Sequence, residues 1–232
     1  MGCSGHKSVQ TEKYGSSFKN KKHKKEEREE DISHLNAKVE IPEFEITRID
    51  IELIYEINNV RNKPSSYLGI ISKNKSKISN SKNNNKTKEG ETAYEEAEQF
   101  LKTCQEYQNE LIPSVGLCRI AEDFLKEFND NGVEINKIDN ININKIIDKY
   151  GLISGNFCKL ISCGGDEADS VVTYLIVCDG DQNREQRNKL FDTSFKKIGV
   201  AHGKHPIYKY VSIVILSTDF DNKNGLNDEL DI

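Results

Sequence analysis

No stretch of this 232-residue chain approaches the ~18 consecutive apolar residues that a membrane-crossing helix requires. The start of the sequence also lacks the apolar core, roughly 7–15 residues long, of a secretory signal. The two absences point to a protein that stays in the cytosol. A basic excess is missing as well: 33 Lys+Arg against 38 Asp+Glu give a formal net charge of −5. Nucleic-acid binding calls for a net basic surface or a strong basic stripe, so no nucleic-acid partner is expected. Cysteine is sparse. Cys3, Cys104, Cys118, Cys158, Cys163 and Cys178 are spread over the whole chain and read, in a reducing compartment, as buried hydrophobes or free thiols rather than a disulfide framework. There is no glycine-rich phosphate loop, because Gly164-Gly165 is not followed by Lys-Ser/Thr and lacks dinucleotide spacing. What remains, 35% hydrophobic and 31% charged residues, fits one modest core with much solvated chain.

Residues 1–45 divide by charge. Lys19, Lys21, Lys22, Lys24 and Lys25 form a basic run, and Glu26, Glu27, Glu29, Glu30 and Asp31 follow at once, a pattern of solvated, disordered chain. From Ile46 the spacing turns helical through Ile49, Leu53, Ile57 and Val60, and Lys63-Pro64 ends it. Residues 73–88 are nearly all Asn, Lys and Ser and read as an exposed, mobile insertion in the domain. Helices are expected over 93–107, 115–129, 143–150 and 166–178, with Gly180 closing the last. Strands are expected at 157–162, 197–202 and 207–217, the last with strong β-branched content. Helices first and strands mostly last predict an α+β domain over 46–220 with an antiparallel sheet, and 221–232 reads as a loose acidic tail.

Four motifs bear on function. Gly2 followed by Cys3 is the pattern of N-myristoylation with adjacent palmitoylation, although His6 stands where Ser or Thr is preferred. One myristoyl chain anchors only marginally, so Cys3 and the five lysines, each worth ~1 kcal/mol beside an anionic leaflet, supply the second signal. Asp179-Gly180-Asp181-Gln182-Asn183 opens like a calcium loop, but Arg184 replaces the required Gly and Leu190 the required Glu. Cys158, Cys163, His202 and His205 offer zinc-type donors at non-standard spacing, and two cysteines on an apolar strand are more often core. A Ser or Cys nucleophile would have only His202 or His205 as its base outside the tail.

The run 174–220 carries a helix, Asp179-Gly180, Arg184-x2-Arg187-x2-Leu190-Phe191, Phe195-x3-Gly199-Val200 and His205-x2-Tyr208. It resembles the CAP superfamily of cysteine-rich secretory proteins, antigen 5 and pathogenesis-related proteins, in a short protist-like form. Upstream, Ile54-x3-Asn58-x2-Arg61-x2-Pro64-x2-Tyr67 is similar to the family's opening helix, Leu117-x3-Ala121-x2-Phe124 to its third segment, and 150–164 to its central strand. The resemblance implies an α-β-α sandwich around a small antiparallel sheet, with a cleft of two His and two acidic residues able to hold a divalent metal. Phe124, Lys159 and Gln186 stand where His, Glu and His are implied, and Glu185 alone keeps an acidic member, beside Arg187. The expectation is therefore a metal-free, cofactor-free, non-catalytic domain whose cleft of Phe124, Lys159, Glu185, Gln186 and Arg187 receives an anionic lipid, a sterol or a protein, held by its acylated tail on the cytoplasmic face of a membrane with an anionic inner leaflet. A metal-dependent hydrolase or protease, and a scaffold without ligand, are the alternatives.

Overall fold

The computed structural model describes residues 44–79, 87–107, 109–130 and 134–223. Gly2, Cys3 and the Lys19–Lys25 cluster lie outside them.

α1 (Arg48–Asn62) starts where the Thr47 side chain accepts from the Asp50 N–H and the Asp50 carboxylate accepts from the Thr47 N–H, a reciprocal cap. It ends at Lys63, since Pro64 cannot continue it. A 3₁₀ turn over Pro64–Tyr67 passes into α2 (Leu68–Ser79). After residues 80–86, outside the described set, come α3 (Glu91–Thr103), β1 (Ile112–Pro113), α4 (Val115–Asp130) and α5 (Ile143–Tyr150). β2 (Gly151–Leu152), β3 (Phe157–Cys163), α6 (Ala168–Val177), α7 (Glu185–Leu190), β4 (Lys197–His205), β5 (Lys209–Ser217) and β6 (Asp221–Asn222) complete the chain.

The main sheet runs β1-β4-β5-β3. Its three long strands are antiparallel, in register from Lys197↔Ser217 to His205↔Lys209 and from Phe157↔Ser217 to Cys163↔Val211. Strand periodicity sends alternate side chains to opposite faces. Leu160, Ile198, Val200, Val214 and Leu216 pack with α1, α3 and α6, while Ile161, Ala201, Val211, Ile213 and Ile215 pack with α4 and α5. Helices thus cover both faces of the sheet. α4 lies close on β4 because Gly199 has no Cβ; one would fall on the Leu117 and Cys118 backbone.

The α+β expectation holds, with four corrections. The sheet is mixed, because β1 adds to β4 in parallel. Residues 73–79 of the Asn/Lys-rich stretch continue α2: helix already started over buried Tyr67 and Ile71 propagates at one bond per residue, and Lys75 reaches Glu98 of α3 at 3.1 Å. Asp221 and Asn222, expected as loose chain, form β6, which pairs with β2 over the fully buried Phe220. The fourth is α7, too short at six residues for a periodic signal to reveal it.

Candidate functional site

The structure brings two of the five cleft residues, Phe124 and Lys159, into contact and ties Gln186 to the backbone two residues further along the Lys159 strand. Phe124 lies fully buried on the inward side of α4. The Lys159 ammonium of β3 sits 4.5 Å from the centre of its ring and 3.4 Å from the Asp139 carboxylate. Gln186 of α7 accepts the Ile161 N–H through Oε1 at 2.7 Å, satisfying a donor on an edge strand. Glu185 is exposed, and its backbone N–H donates to Asp181.

Arg187 does not join them. It is 5% exposed and donates from Nε to the Ile176 carbonyl at 2.5 Å and from Nη2 to the Val177 carbonyl at 3.2 Å, meeting the open carbonyls and the negative dipole end of α6. Its guanidinium lies over Phe100, whose ring packs with the α1/α3/α6 layer, whereas Phe124 belongs to the α4/α5 layer. Burial lowers the Arg187 pKa from its usual value. The expected pairing of Lys159 with Arg187 around one anion is therefore corrected: Arg187 holds a helix end.

A divalent metal of the kind the resemblance implies does not fit this donor set. Phe124 has no lone pair, Lys159 brings a positive charge, and the Gln186 oxygen is already engaged. The zinc alternative fails on geometry as well. Cys158 and Cys163 are an odd five residues apart on β3, so Cys158 joins one core layer and Cys163 the other, and burial raises their thiols to about 12 and about 11. In the calcium-like loop, Asp179 accepts the distant Lys88 and Glu89 N–H groups just before α3, and Asp181 accepts those of Asn183 and Glu185 in its own turn, so both carboxylates are already engaged.

His202 does meet a serine, with Nδ1 2.8 Å from Ser212 Oγ, and stacks on Tyr210 at 5.3 Å. Ser212 is 1% exposed in the middle of the sheet, so the pair ties two strands and presents no nucleophile to solvent. His205 is 3% exposed between Phe128 and Tyr208, and its Nδ1 accepts the Ile207 and Tyr208 N–H groups, closing the β4–β5 turn.

Two features were missed in the sequence. The first is a polar hub on Arg184, held at φ +52. Its guanidinium donates to both Glu89 oxygens (2.5 and 2.6 Å), to Glu96 (2.7 Å) and to the Cys178 and Asp181 carbonyls (2.9 and 2.8 Å). The pairing draws the Glu89 carboxyl down to about 2. The hub ties the residues just after the Asn/Lys-rich stretch to the loop between α6 and α7. Its partners lie 88 and 95 positions away, beyond any local motif.

The second is a trough on the outer side of α1. One part, a cavity of about 390 Å³, has Ile51, Tyr55, Asn58, Asn62 and Leu111 among its lining. The next, about 710 Å³, shares Ile51 and Tyr55 and runs to Ala168 at the start of α6. Asn58 is locked to the Leu111 backbone by two bonds, 2.9 and 3.0 Å, and Tyr55 is 67% exposed. A signal existed: Ile51, Tyr55, Asn58 and Asn62 recur at four, three and four residues, a second helical stripe beside the buried one.

No protein-family model matches this sequence, and no curated protein does. Among solved structures, an outer surface protein from Borrelia burgdorferi matches with a TM-score of 0.36 and 17% identity, over 54% of this chain and 87% of that one. A likeness of that size carries no argument here.

Proposed function

We propose that the chain is a non-catalytic binding module of divergent CAP type, anchored to the cytosolic face of a membrane through acylation of Gly2 and Cys3 with help from Lys19, Lys21, Lys22, Lys24 and Lys25, and that it binds a protein along α1. The observation that carries the binding reading is the trough beside α1. A helix whose inner stripe is wholly buried presents a second, partly apolar stripe in a groove, with the Tyr55 ring exposed in it. Tyrosine combines apolar area with a polar tip and few rotatable bonds, which suits an interface anchor. The non-catalytic reading is supported by the engagement of Lys159 with the Phe124 ring and Asp139, and of the Gln186 oxygen with the Ile161 N–H. Lipid binding is the second reading, favoured by the Lys159 ammonium, whose Asp139 partner is itself 93% exposed and easily displaced by an anion.

The test places a photo-crosslinking amino acid at Tyr55 of the full chain in cells, with Tyr174, 39% exposed on α6, as the comparison position. A discrete adduct at position 55 and none at 174 is expected. Adducts equally abundant at both positions, or absent from 55, contradict a binding face on α1. Vesicles of anionic lipid, titrated with the chain and its Lys159→Gln variant, test the second reading.

A further inference from the structure

We infer that the end of the trough between α1 and α6 takes a cationic segment of a partner protein, a lysine or arginine flanked by an apolar residue; this rests on the reading of the trough as a binding face. α1 lines it with Glu52 and Glu56 and the start of α6 with Glu167 and Asp169, around an apolar floor that includes Tyr55, and no lysine or arginine is among the lining. Arg48 reaches Glu52 at 2.7 Å, but from the rim, with its side chain 91% exposed. The Tyr67 hydroxyl donates to Glu56 Oε2 at 2.6 Å and fixes that carboxylate, while Glu167 and Asp169 come from a different helix to the same lining. Like charges held together by a fold favour a cation between them.

The floor decides which cation. A hydrated metal ion would leave the apolar surface of Ile51, Tyr55 and Ala168 unused. A lysine or arginine stem covers such surface while its head stays with the carboxylates, and an exposed tyrosine ring adds a face on which a guanidinium rests. Glu167 serves its own helix as N-cap and Glu56 serves Tyr67, so Glu52 and Asp169 are the two carboxylates that can change without disturbing those contacts.

The experiment uses the purified full chain and a fluorescent octapeptide carrying four lysines and two leucines, compared with the same peptide carrying glutamines for lysines. The lysine peptide is expected to bind, more weakly as salt rises, and the glutamine peptide much more weakly. Glu52→Gln with Asp169→Asn should weaken the lysine peptide about fivefold, on roughly half a kcal/mol for each exposed charge contact. Glu122→Gln with Asp219→Asn makes the same change in net charge at exposed positions outside the trough, and should leave binding unaltered. No binding of the lysine peptide, or equal responses of the two double variants, overturns the inference. If Tyr55→Ala weakens both peptides while the trough carboxylates matter to neither, the binding face stands and its cationic preference falls. If Tyr55→Ala changes nothing, the binding face falls with it.

Discussion

Replacing Arg184 by Met keeps most of the side chain's volume and removes every donor of the hub. Five hydrogen bonds are lost, three of them to carboxylates. A charged hydrogen bond contributes about 1.5–3 kcal/mol, and removing one partner of a buried pair costs about 3–5 kcal/mol where the other charge stays buried. Here the survivors are not deeply buried: the Glu89 and Glu96 side chains are 25% and 50% exposed and rehydrate. The bonds therefore do not add, and the expected cost is about 2–3 kcal/mol, a fall in Tm of roughly 4–12 °C for a domain of this size. The change is read by calorimetry and urea unfolding at pH 7. The pH dependence follows from Glu89, whose folded carboxyl is drawn from 4.5 to about 2. A depressed carboxyl stabilises the fold fully above 4.5 and loses that contribution as pH falls through about 2. In Arg184→Met, the loss of stability across this acid window should shrink. Glu89→Gln alone should be destabilising, and the double variant less so than the sum, since each single change strands a partner. A Tm for Arg184→Met within about 1 °C of the parent would refute this account of the hub.

Two further outcomes follow from packing and titration. Phe124→Ala empties a fully buried position between α4 and the sheet and should cost about 3–5 kcal/mol in urea unfolding, while Phe124→Leu should cost well under half of that. A cost below about 1 kcal/mol would show that Phe124 is not core. Burial lowers the His205 pKa below 6.5, and its Nδ1 must stay unprotonated to accept two N–H groups. The unfolded chain takes up that proton more readily, so stability is level above about 6.5 and falls as pH drops towards and through the folded value. His205→Asn, which keeps an acceptor, should flatten the decline between neutral pH and pH 5; an unchanged slope would contradict this.

Residue spacing made much of the fold legible. The Leu53–Ile57–Val60 stripe, the Lys63-Pro64 stop and the β-branched run at 207–217 each matched an element, because local periodicity and tertiary burial agree there. Most of the misses are short elements. α7 is only six residues long, and β1 and β6, of two residues each, exist through long-range pairing, as Ser114 N–H on the Ile198 carbonyl and Lys223 N–H on the Tyr150 carbonyl show. The same limit governs the site. Lys159 meets Phe124, and Gln186 meets the Lys159 strand at Ile161, yet Arg187, next in sequence to Gln186, turns to the other core layer, which a motif on one line of text cannot express.

The proposed acyl tether is read most directly from the membrane fraction of the full chain carrying a C-terminal fluorescent tag, compared with Gly2→Ala. Under the proposed anchoring, loss of Gly2 removes both the first acyl chain and the membrane visit that would expose Cys3 to palmitoylation. The protein should move to the soluble fraction, while Cys3→Ser alone should leave reversible, salt-sensitive association through one chain and the lysines. A membrane fraction unaltered by Gly2→Ala would contradict the account.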